Sequence, residues 1–198
     1  MDLYRSKAAI VGGLTPLVDV LARRGVAPDA VTLAAIPVAV IGGFCLLLSP
    51  LVPPVLLAVP IIVAARLVLN LLDGALARST GRIHPRGELY NEVGDRICDV
   101  ALIAPVAFLP GADGRLVLLG VVGSLMASFV GVAVRAAGGE RLYRGVLSKP
   151  GRMILLAVFA VAAFVGGPAA WGWFGPILLA GTSLTFVDRL ATGIRRLA

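Results

Sequence analysis

Long apolar runs separated by short polar connections dominate the chain. Six such runs follow residue 30, and a helix needs about 20 apolar residues to cross a membrane core. The fifth and sixth runs are shorter than the others. The pattern predicts a bundle of six transmembrane helices within residues 31–187, over 31–49, 55–72, 91–109, 116–136, 152–165 and 171–187.

The first 25 residues carry a different pattern, with one apolar face and several basic residues. Thr15 followed by Pro16 predicts the start of a short helix, and Gly25 predicts its end. A basic amphipathic helix of this kind is typical of a segment lying on an anionic membrane surface. The alternative is disorder at the extreme N-terminus. The face consists of Leu14, Leu17, Val18 and Leu21.

Composition supports a membrane protein. Hydrophobic residues make up 59% of the chain and the mean hydropathy is +0.96, whereas about half of the residues of soluble domains are apolar. The length of 198 residues suits one all-α integral membrane domain spanning 1–198. The net charge of +7 does not indicate nucleic-acid binding, because the basic residues lie in short segments between apolar runs.

The basic residues also predict the orientation of the bundle. They are concentrated in alternate connections, at 78–86 and 135–152, and at the C-terminus. By the positive-inside rule, both termini and the 78–86 connection face the cytoplasm. Trp171 and Trp173 are then expected in the aromatic belt at the outer interface.

Polar residues interrupt the apolar pattern between residues 70 and 95. Asn70 and Asp73 close the second run one helical turn apart, and Asn91 and Asp95 open the third run four residues apart. Each pair shares a helix face, so four oxygen ligands can converge on one point. Hard cations such as magnesium are held by such oxygens together with substrate phosphates. The pattern predicts a metal site.

Three of the residues that follow Asp73 are suited to bind a phosphate beside that metal. Gly74 and Ala77 follow Asp73 on the same side and leave room for a phosphate to approach the backbone. Arg78 can neutralise the charge of that phosphate.

Residues 70–95 resemble the motif of the CDP-alcohol phosphotransferases, membrane enzymes of phospholipid synthesis. That motif reads Asp-x2-Asp-Gly-x2-Ala-Arg-x8-Gly-x3-Asp-x3-Asp. The chain departs from it at the first and third acidic positions, where Asn70 and Asn91 stand in place of Asp. The matching residues, at the correct spacing, are Asp73, Gly74, Ala77, Arg78, Gly87 and Asp95.

The resemblance implies transfer of a phosphatidyl group from CDP-diacylglycerol, or a related CDP-alcohol, to a hydroxyl of a small polar alcohol, with release of CMP. It implies one or two Mg2+ or Mn2+ ions, Asp95 as the general base and a homodimer in the membrane. The implied metal ligands are Asn70, Asp73, Asn91 and Asp95. The implied CDP-binding residues are Thr32, Asp73, Gly74, Ala77, Arg78 and Gly87.

Basic residues around the fourth connection predict where a phosphorylated acceptor binds. Lys149 and Arg152 open the fifth run in a segment that resembles a Gly-Lys-x-x-Arg pattern of some branches of the family. With Arg135 they are the acceptor candidates; the alternative is that these charges only set the topology. Arg66 lies within the second run, and an ion pair with Asp99 or Asp188 is expected for it.

The two asparagines leave three outcomes open. Each removes a negative charge and keeps one carbonyl oxygen, so the enzyme has an altered metal site, acts on another CDP-alcohol, or is a non-catalytic relative that binds CDP-lipid. A small transporter is the alternative from another class, because intramembrane charges also mark solute paths. Transporters usually contain internal repeats, and the sequence shows no convincing one.

Overall fold

The computed structural model describes residues 3–197, and this part of the chain is helical without any strand. Short 3₁₀ segments at Pro53–Leu57, Ala104–Phe108 and Pro168–Trp173 flank three of the helices. The seven α-helices are α1 (Leu3–Arg23), α2 (Pro28–Leu48), α3 (Ala58–Ser79), α4 (Pro85–Ile103), α5 (Gly114–Ala136), α6 (Lys149–Gly166) and α7 (Phe174–Leu197).

Five segments of the described chain are long and apolar enough to cross a membrane: Pro28–Leu48, Pro53–Ser79, Gly114–Ala136, Lys149–Gly166 and Pro168–Leu197. The predicted all-helical, multi-pass membrane fold is therefore confirmed, with five such spans rather than six. The remaining predicted span corresponds to α4. Its 19 residues include six charged ones, so it is not apolar enough to count as a membrane span. It nevertheless packs within the bundle.

Close contact between α2 and α4 sets the frame of the bundle. A Cβ atom on Gly43 would lie 2.3 Å from the carbonyl oxygen of Ala101, so the two backbones approach at a distance that only glycine allows. Leu46 and Leu102 are completely buried in the core next to this contact. The packing brings the start of α2 beside the start of α4, and α3 packs against α2 with its polar end nearby.

Helix α1 is longer than predicted. It runs continuously from Leu3 to Arg23 with Pro16 inside it, so the expected start at Thr15 and Pro16 is wrong. Gly25 does end the helix, with φ of +69° and a hydrogen bond from its amide to the carbonyl of Ala22. The predicted apolar face packs in part against the bundle, because Val18 is buried with Leu72 and Leu76 of α3.

The two tryptophans occupy different environments. Trp173 is 70% exposed, as an aromatic belt requires, but Trp171 is 2% exposed. Trp171 packs against Phe159 and Phe174 in the core, so its predicted position in the belt is wrong. The local pattern could not distinguish the two residues, because both lie in the same turn.

Candidate active site

A polar cleft opens where α2 and α4 begin and α3 ends. Its volume is about 500 Å3, within the range of pockets that hold small-molecule ligands. Charged residues from both neighbouring loops, Arg82 and Arg141, line it. All the residues predicted to bind CDP also lie in its wall: Thr32, Asp73, Gly74, Ala77, Arg78 and Gly87.

Asp73 is fixed at the bottom of the cleft by α2. The Thr32 hydroxyl donates a hydrogen bond of 2.9 Å to Asp73 Oδ2, and the Gly74 amide donates to Asp73 Oδ1. Asp73 is 7% exposed and Thr32 is 9% exposed. A buried carboxylate needs such donors, so Thr32 orients Asp73 and is itself placed at the wall of the cleft.

A smaller inner cavity of about 10 Å3 lies beneath the cleft. Its wall contains all the predicted metal ligands, Asn70 and Asp73 from α3 and Asn91 and Asp95 from α4. Asn91 Oδ1 is buried and has no hydrogen-bond partner among the described residues. Converging carboxylate and amide oxygens, one of them unpartnered, fit a magnesium or manganese ion. Two of the four ligands are amides, and the described residues contain no group of three His, Cys, Asp or Glu side chains arranged to hold a metal ion without such amides.

Lys149 reaches the inner cavity from the first turn of α6. Its ammonium group donates a 2.6 Å hydrogen bond to Asn70 Oδ1 and forms an ion pair with Asp95 Oδ1. The side chains of Lys149 and Asp95 are 21% and 16% exposed. Lys149 was predicted as an acceptor residue, and the structure places it against the predicted base and one predicted metal ligand.

Arg152 lies one turn deeper and has a different position from the one predicted. Its Nη2 lies 2.7 Å from Asp99 Oδ2, and its side chain is 1% exposed. The other oxygen of Asp99 lies 3.0 Å from Arg66 Nη2, so the expected Arg66–Asp99 ion pair is confirmed. Arg152 therefore belongs to a sealed ionic cluster, not to a surface that an acceptor can reach.

Arg135, the third acceptor candidate, lies at the exposed end of α5. It pairs with Glu88, and the two side chains are 52% and 45% exposed. It lines neither the cleft nor the inner cavity. Of the three acceptor candidates, Lys149 alone contacts predicted site residues, Asn70 and Asp95. Arg135 borders the cleft only through Glu88.

The loop at 137–148 adds two residues that the sequence did not single out. Arg141 and Tyr143 line the cleft, with the Arg141 guanidinium 4.6 Å from the Tyr143 ring centre and paired with Glu92. Arg189 of α7 holds this loop by donating to the carbonyls of Tyr143 and Arg144, each at 2.8 Å. The only sequence signal for these two residues is the basic character of their loop, which the positive-inside rule also explains.

His84 and Asp29 form another part of the wall that was not predicted. His84 Nδ1 accepts from the Gly87 amide, so Nε2 carries the proton that faces Asp29 Oδ2 at 3.4 Å. A Cβ atom on Gly87 would lie 3.0 Å from Asp29 Oδ1. Gly87 therefore lets α4 approach the start of α2.

A membrane bundle with oxygen ligands beneath a basic cleft has the parts of a metal-dependent phosphotransferase that acts on a lipid substrate. No family model matches the chain. The Escherichia coli inner membrane protein YnbA is 32% identical over 165 residues, which cover 83% of this chain and 82% of the relative. The phosphatidylinositol phosphate synthase of Mycobacterium marinum is 30% identical over 178 residues, covering 84% and 73%.

Solved structures give the same result. The Mycobacterium tuberculosis phosphatidylinositol phosphate synthase with manganese and citrate matches with a TM-score of 0.77 and 26% identity, covering 91% of this chain and 88% of that one. The same enzyme with CDP-DAG bound matches with a TM-score of 0.66 and 27% identity, covering 92% and 90%. The chain belongs to the CDP-alcohol phosphotransferase family. Its interpretation as a membrane phosphatidyltransferase is confirmed, and the manganese complex agrees with the predicted Mg2+ or Mn2+ dependence.

Proposed function

We propose that the protein transfers a phosphatidyl group from CDP-diacylglycerol to a hydroxyl of a phosphorylated polar alcohol and releases CMP. The observation that carries this proposal is the stacking of two cavities: the predicted CDP residues line the cleft, and the predicted metal ligands line the inner cavity beneath it. Asp73 belongs to both walls and joins them.

The proposed reaction uses Asp95 as the base. Its carboxylate takes the proton of the acceptor hydroxyl, and the acceptor oxygen then attacks the phosphorus that carries the diacylglycerol. The bond between that phosphorus and the CMP oxygen breaks, so CMP leaves with the electron pair. Arg78, in the wall of the cleft, neutralises the charge on the leaving phosphate.

A bound Mg2+ or Mn2+ would reduce the negative charge of the pyrophosphate and assist the departure of CMP. The inner cavity lined by Asn70, Asp73, Asn91 and Asp95 would hold it. Two side-chain contacts hold the carboxylates in place: Thr32 fixes Asp73, and Lys149 fixes Asp95. Fixed donors and charges of this kind provide most of the rate of phosphoryl-group transfer.

The names of the relatives support a phosphorylated acceptor. Similar proteins from Mycobacterium marinum and Pyrococcus horikoshii are named as synthases of phosphatidylinositol phosphate and archaetidylinositol phosphate. We therefore place a phosphorylated polyol on the side of the inner cavity where Lys149 contributes a cation. The lipid part would lie among the membrane helices, with the cleft and both termini on the cytoplasmic side and two copies forming a homodimer.

The test is metal-dependent CMP release by the purified protein in proteoliposomes that contain CDP-diacylglycerol. Polar alcohols and their phosphates, inositol phosphate and glycerol phosphate among them, are supplied as acceptors. We expect release with at least one phosphorylated acceptor and much less with its unphosphorylated form. Binding of CDP-diacylglycerol without CMP release from any acceptor would contradict the enzyme and favour a non-catalytic relative.

A further inference from the structure

We infer that Lys149 provides one of the fixed positive charges that the inner cavity needs, so that this chain works with a single divalent cation. The inference rests on the proposed function, because it concerns the metal used in that reaction. It is carried by the contacts of Lys149, the charge balance around the cavity and the space in it.

The first observation is the position of the ammonium group. Lys149 Nζ contacts Asn70 Oδ1 at 2.6 Å and pairs with Asp95 Oδ1. These two oxygens belong to α3 and α4, at the first and last ligand positions of the motif. An ammonium group that joins two such oxygens takes the coordination and the charge that a cation would supply there.

The second observation is a balance of charge in the linked cluster of side chains around the inner cavity. Each member lines the cavity or is joined to a lining residue through one or two ion pairs. Three carboxylates face three cations, so the protein side chains alone are neutral. With aspartate at positions 70 and 91 the cluster would carry two more negative charges, the charge of one divalent ion. The six members are Arg66, Asp73, Asp95, Asp99, Lys149 and Arg152.

The third observation locates the remaining cation. Asp73 is directed to Thr32 and Gly74, and Asn91 Oδ1 is buried without a partner among the described residues. These oxygens lie on the wall of a cavity of about 10 Å3, roughly the space that one water-sized species occupies. The single divalent ion therefore belongs to the side of Asp73 and Asn91, and Lys149 to the side of Asn70 and Asp95.

The contacts of Arg152 hold Lys149 at this position. It stands at the first position of α6, and Arg152 in the same turn is fixed to Asp99 and to the Leu147 carbonyl at 2.7 and 3.3 Å. Because Arg152 is 1% exposed, α6 cannot slide without exposing or unpairing a buried charge. The start of α6 is therefore set by this buried pair.

The experiment counts Mn2+ bound to the purified full chain in detergent, with no lipid substrate, and records the electron paramagnetic resonance spectrum. The native protein, Asn70→Asp, Lys149→Met, and Asn70→Asp combined with Lys149→Met are compared. Arg144→Met is the matched control, because Arg144 is an exposed cation that pairs with Asp188 and does not line the inner cavity. Thermal unfolding of each protein, recorded on the same preparation, shows that it is folded.

We expect one Mn2+ per chain with an uncoupled spectrum in the native protein, in Asn70→Asp and in the Arg144→Met control. The double variant should bind two, with the exchange-coupled spectrum of neighbouring ions. Lys149→Met alone should bind the single ion about tenfold more tightly, because a nearby positive charge is lost. Two coupled ions in the native protein, no bound ion, or one ion in the double variant would overturn the inference.

These outcomes are separate from those of the proposed function, since the count requires no turnover. A native chain with one Mn2+ and no CMP release would contradict the enzyme and leave the metal inference standing. CMP release by a native chain that binds two coupled Mn2+ ions would support the enzyme and overturn the metal inference.

Discussion

Two layers of ion pairs between α4 and α6 have similar chemistry and different surroundings. In the upper layer Lys149 pairs with Asp95, and in the lower layer Arg152 pairs with Asp99. The acids are four residues apart on α4 and the bases three apart on α6, so each helix contributes one residue to each layer. Arg66 connects the layers, with Nη2 3.2 Å from the Asp95 carbonyl and 3.0 Å from Asp99 Oδ1.

The layers differ in their access to the cavities. The side chains of the upper pair are 21% and 16% exposed, whereas those of the lower pair are 1% and 5% exposed. A sealed pair of charges contributes to the fold, because removing one partner leaves an uncompensated charge. An accessible pair beside open oxygen ligands lies where a substrate can contact it. Depth within the bundle therefore distinguishes Asp95, the proposed catalytic base, from Asp99, which is sealed in the core.

The largest expected effect is on catalysis in the upper layer. Asp95→Asn should lower CMP release at least about a hundredfold, because an amide cannot accept the acceptor proton. The variant should stay folded, since the Asn oxygen can still accept from Lys149. CMP release and thermal unfolding are measured on the same preparation. Asp188→Asn, which removes an acid at the surface from its pair with Arg144, is the control and should keep full activity.

The second effect is on stability in the lower layer. Asp99→Asn should lower the free energy of unfolding by about 3 kcal/mol, because two buried guanidinium groups lose their shared carboxylate. For a chain of this size that corresponds to a fall in Tm of roughly 6–12 °C. Arg152→Met is the matched variant: it leaves Arg66 and Asp99 as a pair and should cost much less. A smaller loss of stability in Asp99→Asn than in Arg152→Met would contradict the proposed division between the layers.

The sequence was sufficient for the part of the site that two adjacent helices define. The period of the α-helix fixes Asn70 with Asp73 and Asn91 with Asp95, and the short connection between α3 and α4 keeps both pairs at one end. The spacing of polar residues therefore predicted the oxygen ligands in the wall of the inner cavity, whereas Thr32 and Gly87 of the cleft came from the resemblance to the family. It also predicted a partner for Arg66, because a buried guanidinium in a membrane requires one.

Contacts between distant parts of the chain could not be predicted in this way. Lys149 and Arg152 have the same charge and are three residues apart, and only the depth at which α6 packs assigns them to different layers. Arg141 reaches the cleft because Arg189, 48 residues later, holds its loop. The predicted start of α1 was wrong because Thr15 and Pro16 form a local start signal, whereas the helix continues through both residues.

A third, smaller effect concerns the wall of the cleft. Gly87→Ala should raise the KM for CDP-diacylglycerol about tenfold, equivalent to about 1.4 kcal/mol. The new methyl group would lie 3.0 Å from Asp29 Oδ1 and 3.3 Å from His84 Cε1, so the wall must shift. Gly166→Ala is the control, since a Cβ atom there has no neighbour within 4 Å among the described residues. An unchanged KM in Gly87→Ala would place the nucleotide elsewhere.

The smallest effect is expected for Arg135, the acceptor candidate that pairs with Glu88 and belongs to neither layer. Its pair with Glu88 is about half exposed, and exposed ion pairs contribute at most about 1 kcal/mol. Arg135→Ala should change the KM for a phosphorylated acceptor less than about twofold, whereas Lys149→Met should change it strongly because that cation contacts Asp95. Arg144→Ala, which breaks another exposed pair, gives the background. A rise in acceptor KM for Arg135→Ala as large as that for Lys149→Met would show that the acceptor reaches beyond the inner cavity to the end of α5.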